Sequence, residues 1–471
     1  MKNYIINGSP ELINLASQQF GIPIACISNK ERLNLGSKHS FRATELFDCK
    51  YDIGLKDLDP IDSVLLDKLE KCEISYLKMC DRINTYGGYQ KRKDDYLSHV
   101  RYWNHVVKNE DIDFVIFLNV PHEGYDFVLY SICKVLNIKT FLFFHLPHRP
   151  GFTFIHLLED INHHLPEIKK SYQDLKNRMI DITISDIAKP LDLFLIEQLN
   201  PTNEITTFAG QEKGFSPNAF KYIQTKIFNL MSSLKKDSQQ SFSKKILNFV
   251  NGVMFRDPYL DSPRSVMKKY DTLSVQPDLT KEFIFFPLHY QPELSTNPLG
   301  GHYVNQLVVV EMLSKANPDL MIYVKDHPRL GNIFKNKIFY ESLLEFKNVS
   351  LINLNFNSYK LIENSYAVAT ITGTAGLEAL IKGKPVFMFG NRFYEHAPGV
   401  FKINSFNDLK KAIRIIDEGF SFDQKNVLYF FKALENYVFE GVMDTSEESY
   451  SNITHSETAK KMIAIINQHL T

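Results

Sequence analysis

The sequence predicts an α/β protein made of two Rossmann-like, doubly wound domains that face each other across a central cleft. Three observations carry that expectation. Short, nearly continuous apolar runs recur along the chain, as in strands buried on both faces of a parallel sheet. Segments with apolar residues at helical spacing separate them, and strand–helix alternation is the pattern of doubly wound sheets. Finally, 471 residues imply two domains or more at roughly 100–200 residues each.

The elements follow in order. Strands are expected at residues 4–7, 23–28, 114–119 and 140–146, with a weaker one at 181–185. Residues 11–20 and 126–136 carry helical spacing between them. Residues 55–110 are polar, but Leu65, Leu66 and Leu69, then Tyr96, Val100, Trp103 and Val106, recur at helical intervals, so helices are expected there rather than a linker. In the second half, strands are expected at 282–289, 320–325, 349–353, 367–372 and 385–389, separated by helices at 305–316, 334–346, 358–364 and 376–382. Residues 231–245 read as an exposed polar loop, and 246–270 as a helix broken by Pro258 and Pro263. Helices at 427–439 and 457–469 end the chain. The domains expected from this pattern are 1–245 with helical insertions, 246–440, and a helical tail at 441–471.

Composition narrows the function. Basic and acidic side chains balance at 54 each, with a pI near 7.2, which argues against broad binding to nucleic acid or an anionic membrane surface. No run approaches the roughly 20 apolar residues of a membrane span, and the N-terminus lacks a hydrophobic signal core. Five cysteines form no CxxC pair and are odd in number, so a reduced, cytoplasmic protein without structural zinc is expected. The sequons at Asn348 and Asn452 read as chance matches. Aromatic residues reach 13%, enough to line a ligand cleft besides filling a core.

Ligands of open parallel sheets bind at the carboxyl ends of the strands, and four loops there carry suitable residues. Lys325-Asp326-His327-Pro328 follows one strand; its lysine and histidine suit a phosphate, although a lone His-Pro also fits a satisfied structural histidine. Thr372-Gly373-Thr374-Ala375-Gly376 follows another and runs into a helix expected from about Leu377. Small residues, hydroxyls and a helix N-terminus favour an anion there. Glu378 would lie in the first helical turn, reaching a ribose diol or complementing the helix dipole. With Lys325 and His327 the turn makes a nucleotide-phosphate site, although neither a Walker loop nor GxGxxG is present. The long loop 287–301 holds His289, Gln291, Glu293, Ser295 and Thr296. The loop 119–126 of the first domain brings His122, Glu123 and Asp126 to the cleft edge, where a carboxylate serves as base or nucleophile; helix capping is the alternative for Asp126. His145, His148 and Arg149 are candidate substrate contacts, and their HxxH spacing lacks the support of a zinc motif.

The runs FFPLHYQPELSTNPLGGHY, IYVKDHP and TITGTAGLEALIKGKPVFMFGNRFYE, with the PHEGYD loop as weaker support, resemble the bacterial capsule polysaccharide biosynthesis proteins, a group that includes transferases of Kdo and related acidic keto-sugars. The resemblance covers about residues 280–400 and implies a GT-B-like glycosyltransferase with its donor in the C-terminal domain and its acceptor in the N-terminal one. It implies that His327-Pro328 and Thr372-Gly373-Thr374 contact the phosphate of a CMP-sugar, with Lys325, Gly376, Glu378, His289, Gln291 and Glu293 on the donor side. It also implies Glu123, His122 or Asp126 as the catalytic group, no metal and no cofactor. The implied partners are a nucleotide sugar and a glycan or glycolipid acceptor, the latter drawing the protein to the inner face of the plasma membrane. A nucleotide-sugar epimerase, a polyol-phosphate transferase and a non-catalytic assembly or export component are the other readings of the same scaffold.

Overall fold

The computed structural model describes residues 2–82, 88–146, 154–163, 165–178, 181–189, 191–199, 263–291, 293–327 and 335–471. In the first half, β1 (Tyr4–Gly8), β2 (Ala25–Ser28), β3 (His39–Arg42), β4 (Phe114–Phe117) and β5 (Lys139–His145) are parallel, and β6 (Phe154–Leu158) runs antiparallel to β5. In the second half, β7 (Phe283–Pro287), β8 (Met321–Lys325), β9 (Val349–Leu351), β10 (Ala367–Thr370), β11 (Val386–Met388) and β12 (Val400–Lys402) are all parallel. β13 (Val438–Glu440) returns to the first sheet and pairs antiparallel with β6.

Strand order identifies where each sheet opens. The second sheet runs β12-β11-β10-β7-β8-β9, the Rossmann order, in which the switch of direction falls between the first and fourth strands, here β7 and β10. The first runs β13-β6-β5-β4-β1-β2-β3 and has its switch point between β1 and β4.

Both sheets are covered on two faces, which is why their strands read as apolar runs. Side chains alternate between faces. In the first sheet, Tyr4, Ile6, Phe114, Ile116, Phe141 and Phe143 share a core with the helices Pro10–Phe20 and His455–Leu470. Ile5, Val115, Phe117, Leu142 and Phe144 pack on the other face against Tyr89–Asn109 and Tyr125–Val135. In the second sheet, Ile284, Phe286, Ile322 and Val324 face the helices Gln306–Ala316 and Phe406–Asp417. Phe283, Phe285, Val368 and Met388 face Thr374–Ile381 and Gln424–Leu434.

The halves are laced together. The helix Ile168–Asn177 packs on Gln424–Leu434 and shares the second sheet's core, whereas everything after Val438 joins the first domain. Ser9 shows how that return is held. Its hydroxyl caps the helix Pro10–Phe20, accepting from the Leu12 N–H at 3.2 Å, and bonds Nε2 of His455 on the returning helix at 2.7 Å.

Several expectations need correction. Residues 181–185 are not a strand: a 3₁₀ turn, Ile184–Asp186, is held by the Asp186 carboxylate on the Thr183 N–H at 2.8 Å. The helix expected at 427–439 ends at Leu434, and Val438 and Phe439 enter β13 because β6 would otherwise leave a bare edge. The stretch 441–471 is therefore no separate tail but part of the first domain. The expected boundary at 245/246 and the loop at 231–245 lie outside the described residues. Asn348 is no glycosylation site in this fold: it is buried, and its amide donates to the carbonyls of Ser314, Asn317 and Leu320. No helix among the described residues is long and apolar enough to cross a membrane.

Candidate functional site

The switch point of the second sheet is bridged by one histidine. His289 leaves β7 with its ring buried, and its Nε2 accepts the N–H of Thr372, beyond β10, at 3.0 Å. An accepting Nε2 places the proton on Nδ1, a buried atom with no hydrogen-bond partner among the described residues. Burial first, then the nearby Lys335, Arg392 and His327, lower this imidazole to about 3, so it is neutral at physiological pH. Gln306 clamps the His289 backbone, accepting its N–H at 2.7 Å and donating to its carbonyl at 3.0 Å.

The turn 372–376 lies beside it. The Gly373 N–H donates to the Thr370 hydroxyl at 2.8 Å, and the helix Thr374–Ile381 starts from Gly373 without any side-chain cap. The N–H groups of Thr374 and Ala375 have no acceptor among the described residues, so the helix N-terminus presents free donors. Gly373 is required by space: a Cβ there would lie 2.9 Å from the Thr370 hydroxyl and 3.0 Å from Nε2 of His289. Gly376 serves packing instead, since its Cβ would lie 2.6 Å from the Tyr394 hydroxyl, which donates to the Gly373 carbonyl. The helix begins three residues earlier than its sequence suggests, which moves Glu378 from the first turn to the second and corrects the expectation for it.

Lys325, at the end of β8, is buried, and its ammonium donates to the Ser358 hydroxyl at 2.7 Å. Among the described residues it forms no ion pair, and burial lowers it to about 8. Asp326 is the brace of the following loop. Its carboxylate is paired with buried Lys335, accepts from the Tyr340 hydroxyl, and takes the His327 N–H at 2.6 Å. The His327 ring lies against Tyr290, with centroids 5.5 Å apart. Pro328 is outside the described residues, as are His148 and Arg149.

Gln291 and Glu293 lie on the loop beyond His289. The Gln291 amide donates to the Val304 carbonyl at 2.6 Å and accepts from Gln306 at 2.8 Å. Both residues line an adjoining cavity of about 410 Å³, together with Lys78, Asn297, Asn305 and Asn336.

The opposite wall comes from the first sheet. After β4, the Asp126 carboxylate accepts the N–H groups of His122 at 3.1 Å and Glu123 at 2.7 Å, so it holds the loop in the manner of a cap. Burial, then Glu123, raises Asp126 to about 7. His122 Nδ1 donates to the Val120 carbonyl, and its Nε2 lies 4.0 Å from the half-exposed Glu123 carboxylate. At the end of β5, Phe144 stacks on His145 and carries the guanidinium of Arg392 on its face, 4.5 Å from the ring centroid. Arg392 follows β11, so this contact brings the carboxyl edges of the two sheets together.

Arg392, Lys335, Thr370, Ser358 and Tyr394 were not singled out by their sequence context. Only Arg392 carried a signal, a cation two residues past the glycine that follows a buried strand.

Comparison with known proteins adds a family resemblance. Over 207 residues the chain is 28% identical to Protein FixF of Sinorhizobium fredii, 43% of this chain and 48% of that one, so it spans about half the length of the curated relative it matches. The solved structure of Thermosulfurimonas dismutans KpsC, beta Kdo 2,7 transferase, is 12% identical, covering 86% of this chain and 97% of that one at a TM-score of 0.31. UDP-GlcNAc 2-epimerase from Methanocaldococcus jannaschii is 12% identical, covering 93% and 99% at a TM-score of 0.29. Residues 295–419, which include Lys325, His327, the 372–376 turn and Arg392, match the family model of capsule polysaccharide biosynthesis proteins.

Proposed function

We propose that the protein is a glycosyltransferase of bacterial surface-polysaccharide synthesis that takes its sugar from a nucleotide donor, a CMP-linked acidic keto-sugar such as Kdo, and passes it to a glycan or glycolipid acceptor. The observation that carries this reading is the switch point itself. A buried His289–Thr372 bridge, an uncapped helix N-terminus and the Lys325 ammonium stand at the carboxyl ends of the neighbouring strands β7, β10 and β8, where a doubly wound sheet takes a nucleotide. The family match over 295–419 supports the same reading.

In the mechanism, the bond between the anomeric carbon and the phosphate oxygen breaks while a new one forms to the acceptor oxygen. Negative charge grows on the departing phosphate. Lys325, His327 and the N–H groups of the 372–376 turn stabilise it, usually the largest single contribution. Glu123, half-exposed on the facing wall, takes the acceptor proton. Asp126 holds the Glu123 loop, and His122 lies beside that carboxylate. With a lipid-linked acceptor, the reaction sits at the inner face of the plasma membrane.

The test is product analysis with a CMP-linked keto-sugar donor and a surface-glycan acceptor. Nucleotide release that depends on the acceptor, with a lengthened glycan, is the expected result. A new nucleotide sugar formed without acceptor would mean epimerisation and refute transfer.

A further inference from the structure

Arg392 is the cation of the crevice that the transfer chemistry above leaves unused. Only 8% of the residue is exposed, and among the described residues its buried Nε has no hydrogen-bond partner and its guanidinium forms no ion pair. Glu293 is the carboxylate that acts on it, from beyond ion-pairing distance, and His156, His289 and Tyr394 are its other titratable neighbours. Its guanidinium lies over the face of Phe144. A buried guanidinium without a counter-ion is costly, and burial lowers even this group to about 10. The surrounding structure nonetheless fixes it in place. Lys402 anchors the preceding turn through the Gly390 carbonyl and Asn391 Oδ1, and a Cβ on Gly390 would lie 2.6 Å from the Thr372 side chain.

Lys325 and Arg392 diverge. Lys325 is drawn toward Ser358, which begins the helix after β9, whereas Arg392 leans from beyond β11 onto the first sheet. Between them lie His289 and the 372–376 turn. One phosphate held at Lys325 and the turn leaves Arg392 without an anion.

We propose that Arg392 is a second anion-binding group, taking a carboxylate or phosphate of the substrate distinct from the phosphate held by Lys325 and the 372–376 turn. Its planar fork matches either anion in two parallel hydrogen bonds. The proposal rests on the donor-site reading above for its division of labour, but not for the binding itself.

The test compares wild type with Arg392→Met and Arg392→Lys by calorimetric titration and thermal melting. The probes are inorganic phosphate, D-glucuronate and neutral D-glucose, each with and without saturating CMP. Wild type is expected to bind one of the two anionic probes and not glucose: glucuronate assigns a carboxylate, inorganic phosphate a phosphate. Arg392→Met should weaken that probe at least tenfold while CMP affinity changes less than twofold, and Arg392→Lys should fall between. Without ligand, Arg392→Met should melt at or above the wild-type temperature, because it removes a buried unpaired charge. A melting point lowered by several degrees would make Arg392 a structural brace and overturn the proposal, as would equal probe binding in wild type and Arg392→Met, or none in either. Failure of the donor-site reading would look different: CMP would not bind, while the Arg392 effect on the anionic probe persisted.

Discussion

At the residue scale, the site depends on cations kept apart from acids. Lys325 is the clearest case, because its ammonium meets a hydroxyl instead of a carboxylate and burial brings it to about 8. Nucleotide binding through Lys325 needs the charged form, so affinity should hold below pH 8 and weaken about fivefold from pH 8 to pH 9. Titration calorimetry across that range checks this, and a flat profile would remove Lys325 from the phosphate site. His327→Ala should abolish turnover while keeping the backbone N–H that Asp326 holds. An active variant would refute its role. Lys325, His289 and the 372–376 turn could be singled out beforehand because they stand at or just past the carboxyl ends of strands, where a sheet takes its ligands. Lys335 was illegible because its role is a pairing with Asp326, nine residues away in the sequence. Asp126 was readable in two ways, and its two backbone hydrogen bonds settle where its oxygens are engaged.

At the scale of elements, the helix Thr374–Ile381 illustrates what periodicity reveals and what it hides. Apolar spacing located the helix, but its start was misjudged by three residues because Thr, Gly and Ala carry no apolar signal in the first turn. Glu378 consequently changed place. The two glycines of the turn have separate duties. Gly376→Ala would drive a methyl into Tyr394, 2.6 Å from its hydroxyl, and should cost about 1–3 kcal/mol of stability. Adding Tyr394→Phe should recover part of that loss in chemical denaturation; no recovery would mean the strain lies elsewhere. Most central strands of both sheets were legible because they are buried on two faces, although β6 was missed, and of the edge strands only β9 was expected. β3, with the sequence His-Ser-Phe-Arg, and β12 and β13, at three residues each and only half-buried, are too short or too polar to announce themselves.

At the scale of the whole molecule, the return of the chain to the first sheet was invisible because it is a long-range pairing, visible only as Val438 against His156 and His455 against Ser9. Acid stability is a property of the same scale. His99, His156 and His289 are each lowered to about 3 by burial, against an ordinary value of 6.5. Between those values the unfolded chain binds protons that the folded protein does not, so stability falls as pH drops through that window. The loss should reach up to about 2 kcal/mol per histidine between pH 6.5 and about pH 5. Urea melts at a series of pH values measure it, and unchanged stability down to pH 5 would contradict the buried, neutral assignment. The central claim is that the switch point of the second sheet holds the phosphate of a nucleotide donor. Thermal melting of wild type and Lys325→Met with CMP, CDP, UDP and GDP at pH 7 tests it most directly. The account predicts that CMP raises the melting temperature of wild type and that Lys325→Met loses this shift; no shift with any nucleotide, or the same shift in both proteins, would contradict it.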